Sequence, residues 1–231
     1  MIRILAITLF LSAIAHAQAP QKTSASFYCF RYADELEDVF VRTGAEVYQK
    51  VELSTANMLG PLEVVISEGS VFVHREDTDA EGKTIYPPVG KISLRGIDKP
   101  LIVLFPGKEA DPLPYRGVTI DRDNAKFPMG SYQFMNLSPY AMRGLVGKVR
   151  IDAKPGEVTN LKPQGEPGQM QQVTFEYLDG EIWKTMTKTR WAVRDDRRNL
   201  MCAYLDPKSQ RVKLRSIPER MVSVASRPGN P

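Results

Sequence analysis

The chain has 231 residues, with 31 lysines and arginines, 27 aspartates and glutamates, two cysteines, 17 prolines and 16 glycines. With 42% hydrophobic and 25% charged residues, this composition excludes a coiled coil, a polytopic membrane protein and a largely disordered chain. The formal net charge of +4 is unevenly placed: residues 188–231 hold 11 basic and 4 acidic side chains, and the rest of the mature sequence is slightly acidic.

Residues 1–17 read as a signal peptide. Arg3 is the charged start, Ile4 to Ala15 the apolar stretch, and Ala15-His16-Ala17 the small-residue cleavage site before Gln18. Twelve residues are too short to span a bilayer, which needs about 20. Gln18 rather than cysteine follows the site, so no lipid anchor is expected. The product is expected to be periplasmic or secreted, with no membrane span, and not cytoplasmic.

Beyond Gln18 the dominant pattern is short, alternating, β-branched and aromatic runs divided by turn residues. Ser26 to Arg31 predicts a first strand, and Ala33 to Asp38 a single helical turn. Val39 to Arg42 and Val47 to Leu53 flank Thr43-Gly44; Leu62 to Ser67 and Ser70 to Arg75 flank Glu68-Gly69. Thr84 to Leu94 is broken by Pro87-Pro88, which cannot donate to a ladder. Leu101 to Phe105 is unbroken and apolar, as in a strand buried on both faces. Arg116 to Asp121 follows a proline-rich loop.

Ser131 to Asn136, Val149 to Ala153 and Glu157 to Leu161 continue the pattern. Gln171 to Leu178 and Glu181 to Val193 flank Asp179-Gly180, the strongest hairpin signal in the chain. Asn199 to Leu205 and Arg211 to Ile217 close the series. The fold class is therefore all-β, an antiparallel β-sandwich, read as two immunoglobulin-like domains over residues 18–122 and 123–217 with a flexible tail at 218–231. One large sandwich is the alternative.

Phe127-Pro-Met-Gly-Ser-Tyr-Gln-Phe-Met-Asn136-Leu-Ser-Pro-Tyr140, followed by Lys154-Pro-Gly-Glu157, resembles a pattern in uncharacterised secreted β-sandwich proteins of Gram-negative bacteria. Asn136-Leu-Ser-Pro-Tyr140 also resembles a strand and turn in the second immunoglobulin-like domain of periplasmic pilus chaperones. These resemblances cover about 30 residues and imply an exported β-sandwich; the second implies a partner protein.

Chemistry is sparse. His74 is the only histidine after residue 17. A two-residue turn at Glu68-Gly69 would set Glu63 opposite it, either as an exposed ion pair or as half of an acid–base arrangement. One histidine and two distant cysteines make no metal site, and the acidic runs Glu76 to Asp79 and Asp121 to Asn124 lack a calcium-loop pattern. No cofactor is expected.

Trp183 and Trp191 are candidates for stacking on sugars. A straight strand would set both on one face about 26 Å apart. That conflicts with a core face of Val173, Phe175 and Tyr177 unless a bulge shifts the parity. Arg211, Lys213 and Arg215 alternate with Val212 and Leu214, so the three cations share a face suited to an anionic polymer. Cys29 and Cys202 sit in apolar strand sequence; in an oxidising compartment they are expected to form a disulfide, with two separate buried thiols as the alternative. The functional expectation is an exported, non-catalytic protein that binds an envelope polymer or an exported protein, or has a structural role there, and takes no nucleic acid. A periplasmic chaperone-like protein is the second reading and an unrecognised hydrolase the third.

Overall fold

The computed structural model describes residues 20–107, 110–206 and 209–220. The expected signal peptide at 1–17 lies outside them. The described residues form strands and turns with no helix, so the chain is all-β. Ala33 to Asp38 is not helical: Asp34 and Glu35 both take positive φ, and the Leu36 N–H closes a reverse turn on the Ala33 carbonyl at 2.8 Å.

The N-terminal part contains β1 (Lys22–Cys29), β2 (Asp38–Arg42), β3 (Tyr48–Glu52), β4 (Leu59–Val65), β5 (Ser70–His74), β6 (Asp77–Thr78), β7 (Thr84–Ile85), β8 (Pro88–Ser93), β9 (Pro100–Pro106) and β10 (Tyr115–Asp121). All but β6 and β7 join one sheet in the order β3-β2-β5-β8-β10-β9-β1-β4. The β1–β9 and β8–β10 ladders are parallel. The run Leu101 to Phe105 is apolar throughout because both faces of β9 are covered. Ile102 and Leu104 join the core of this sheet with Phe27 and Tyr115, while Leu101, Val103 and Phe105 face the second half of the chain.

That half contains β11 (Tyr132–Asn136), β12 (Met142–Val146), β13 (Val149–Ala153), β14 (Val158–Leu161), β15 (Met170–Asp179), β16 (Ile182–Ala192), β17 (Arg197–Leu205) and β18 (Val212–Arg220). Two four-stranded sheets, β14-β11-β17-β18 and β13-β12-β15-β16, enclose a core in which Phe134 and Phe175 stack at 5.1 Å. The Asp179-Gly180 turn joins β15 to β16, with Gly180 at φ 63°. Among the described residues no ladder joins any of β1 to β10 to any of β11 to β18. A third apolar layer nevertheless spans both parts: Tyr28, Leu101 and Val103 meet Met135, Leu200, Cys202 and Ile217.

This layer corrects the expected disulfide. Successive residues of β1 point to opposite faces. Phe27 and Cys29 enter the core of the N-terminal sheet, while Tyr28 enters the shared layer with Cys202. The thiols thus belong to different cores, and both cysteines are free and buried. Burial pushes the Cys29 thiol up to about 11, against hydrogen bonds from Tyr115 and the Arg31 backbone. Burial likewise pushes Cys202 up to about 12, opposed by the charge of Arg215. Thiol titration is expected to find two free thiols after unfolding and neither reactive in the folded chain.

The predicted tail begins too early, because β18 runs on to Arg220. Residues 221–231 lie outside the described part. Glu219 in that extension is central to the structure. It accepts hydrogen bonds from Arg122, which follows β10, and from Arg198 of β17. Arg122 also donates to Ser26 Oγ of β1 at 2.5 Å, and Arg198 to the Phe127 carbonyl at 2.5 Å. One carboxylate thus ties the N-terminal sheet to the C-terminal sandwich.

Candidate functional site

The shared layer opens at its other end into a cleft of about 280 Å³ lined by Phe30, Arg31, Phe105, Arg116, Tyr204 and Arg215 among others. Its two sides use the same device. On the β9–β10 side Arg116 lies opposite Phe105. Its guanidinium sits 4.7 Å from that ring centroid, and its Nε donates to the Pro106 carbonyl at 3.3 Å. On the β17–β18 side Arg215 lies opposite Cys202. Its guanidinium covers Phe30 at 4.5 Å and approaches Tyr204 at 5.6 Å, and Nη1 donates to the Phe30 carbonyl at 2.5 Å. Phe30 and Tyr204 meet edge to face at 4.8 Å.

A guanidinium held flat against an aromatic ring gains a cation–π contact and loses little further rotamer freedom when it binds. A guanidinium has five N–H donors, so each keeps donors to spare beside its carbonyl bond, although Arg215 also interacts with the Tyr28 hydroxyl. Arg31 adds a third, exposed cation at the rim. Asp206 is the one carboxylate among the described lining residues, and it is bonded to Lys213. The cleft is therefore cationic with apolar walls, an arrangement that attracts an oxyanion attached to an apolar body. Neither a histidine nor a serine, cysteine or lysine nucleophile is among its described lining residues.

No protein-family model matches the chain, and no curated protein matches it either.

Of the cations singled out in the sequence, Arg215 lines the cleft. Lys213 shares its face of β18, opposite Tyr204, and reaches Asp206. Arg211 precedes the strand and is exposed. The face carrying Lys213 and Arg215 turns toward the N-terminal sheet, since Ile217 on the same alternation enters the shared layer.

The two tryptophans lie on opposite sides of their sheet. Phe175 pairs with Thr187 and Glu176 with Thr185, so Met186 is an extra residue and reverses the parity. Trp191 stacks on Tyr132 at 5.3 Å inside the sandwich. Trp183 lies under the Arg143 guanidinium at 4.2 Å, and Arg143 in turn binds Glu176 at 2.6 Å.

His74 and Glu63 are not partners. The Ser67–Ser70 bridge forms as the turn predicts, but β4 then pairs with β1, setting Glu63 opposite Ser24. His74 faces Phe40 and Pro88, its Nδ1 lies 2.8 Å from the Tyr86 carbonyl, and its ring packs on Tyr48. Burial holds its pKa below the ordinary value, although the Tyr86 bond opposes this. It belongs to an aromatic cluster under the β5–β8 connection. In the acidic runs, Asp79 accepts the N–H groups of Glu81 and Lys83, and Asp121 binds Lys126.

Proposed function

We propose that this chain is an exported, non-catalytic binding protein of the cell envelope that holds an anionic group of an envelope polymer or partner protein in the cleft between its two halves. The observation that carries this reading is the pair of guanidiniums, Arg116 and Arg215, laid on Phe105 and Phe30 from opposite walls. Binding of the chain from residue 18 onward to an anionic polyuronate should weaken as salt rises, and a neutral glucan should not bind. Arg116→Gln and Arg215→Gln are each expected to weaken polyuronate binding about tenfold, read by titration calorimetry. Unchanged affinity in the double variant would remove the cleft from the proposal.

The chaperone-like reading draws on the same cleft, because a peptide C-terminus is also an oxyanion on an apolar body. Peptides with free and amidated C-termini separate the two: only a chaperone-like site prefers the free carboxylate over the polyuronate. Export itself predicts a mature chain beginning at Gln18, and intact-mass measurement on exported protein checks it.

A further inference from the structure

The three large sheets end in six edge strands: β3 and β4, β14 and β18, β13 and β16. An open edge presents unpaired N–H and C=O groups, and proteins ordinarily shorten, interrupt or cover it. Five of the six follow that rule. β3 and β13 have five residues and β14 has four. On β13 the Asp152 carbonyl accepts from the Thr159 hydroxyl at 3.3 Å and the Ala153 carbonyl from Asn136 at 3.1 Å. β4 contains Pro61 and runs beside an irregularity in β1, and β18 contains Pro218; proline has no N–H to offer.

β16 is the exception. It has eleven residues, without proline or glycine, and among the described residues its only ladder is to β15. Among the described residues no hydrogen bond from any other element reaches its backbone. In an antiparallel edge strand every second residue turns its N–H and C=O outward, so β16 offers about five such pairs along one line. Six of its eleven side chains are exposed, Met186 and Trp191 pack on the sandwich core, and β18 of the facing sheet approaches the strand without forming a ladder to it.

Charge decides what such an edge admits. β16 carries Lys184, Lys188 and Arg190 and no carboxylate. Lys184 is tied to Asp179 across the hairpin at 2.5 Å, whereas Lys188 and Arg190 have no ion-pair partner among the described residues. A second copy of this chain pairing here would set cation against cation, which is unfavourable in cross-strand positions, while acidic side chains there are favourable. We propose that the free edge of β16 takes an extended acidic segment of another polypeptide by main-chain pairing.

The test uses the chain from residue 18 onward and a fluorescent ten-residue peptide of alternating glutamate and valine. The peptide is amidated so that it presents no terminal carboxylate to the cleft. A lysine–valine counterpart and a glutamate–valine peptide N-methylated at alternate residues serve as comparisons. The glutamate–valine peptide is expected to slow amide exchange within residues 182–192 and to bind at least tenfold more tightly than either comparison. The exposed double variant Lys188→Glu/Arg190→Glu should reverse the preference between the two charged peptides. Equal binding of the three peptides would overturn the proposal, as would protection confined to β18 or to the cleft. Concentration-dependent protection of 182–192 in the chain alone would assign the edge to self-association and overturn it too. Failure of the cleft variants described above would leave this result unaffected, because none of those residues lies on β16.

Discussion

Glu219→Ala is expected to destabilise the protein by about 3–5 kcal/mol, the range for removing one partner of a buried ion pair. The cost arises from what remains. The Arg198 side chain is only 4% exposed, and its Nε and Nη2 both donate to Glu219; Arg122, at 23%, also depends on that carboxylate. Deleting the carboxylate leaves two guanidiniums facing each other at the junction of the N-terminal sheet and the sandwich, with Asn124, Phe127 and Ser26 as their remaining partners. Chemical denaturation of both proteins checks the figure. A loss below about 1 kcal/mol would mean that water enters and hydrates the arginines.

The same group gives an acid dependence of known sign. Burial alone would raise the Glu219 carboxyl; hydrogen bonds from Arg122 and Arg198, together with their charges, outweigh it and hold the group below its ordinary 4.5. A carboxyl whose pKa is lower folded than unfolded contributes stability above the unfolded value and loses it as pH falls through the folded one. Wild-type stability should therefore decline as pH drops below about 4.5, and Glu219→Gln should decline less steeply over that window. Asp121, also held low, by Lys126 and the Asp123 N–H against its own burial, contributes a slope that remains in the variant. Parallel acid-unfolding curves would assign the slope to Asp121 and other carboxyls alone.

Glu219 and the cleft mark where reading the sequence stops. Local signals carried the strands well: the Asp179-Gly180 turn, the doubly buried run Leu101 to Phe105 and most strand spans appear as alternation and punctuation predict. Long-range pairing carries no such signal. A sequence reading couples neighbours through turns, so it joined β4 to β5, whereas β4 pairs with β1 and β5 with β2 and β8. The parallel ladders β1–β9 and β11–β17 join strands far apart in the chain. The cleft collects Arg31 from just after β1, Arg116 from the start of β10 and Arg215 from within β18; only Arg215 lay in an alternating cationic run. The bulge at Met186 was legible only as a conflict between two face assignments, and that conflict was its signal.

One strand missed altogether, β12, leads to the last prediction. Met142-Arg-Gly-Leu-Val has a glycine at its centre, which weakens any strand reading. The glycine is required by packing. A Cβ at Gly144 would lie 2.5 Å from Phe175 Cε1 and 3.0 Å from Ile151 Cγ1, and the Phe175 ring is fixed by stacking on Phe134. Gly144→Ala therefore overpacks the sandwich core and is expected to cost about 1–3 kcal/mol. Phe175→Ala, at a side chain only 1% exposed, removes the ring and should cost about 3–5 kcal/mol. In the double variant the new methyl enters space that the ring has left, so the two costs should fall short of additive by about 1 kcal/mol or more. Urea unfolding of the four proteins measures that coupling. Strict additivity would show that the β12 backbone moves aside on its own, and that Gly144 is there for a reason other than the ring.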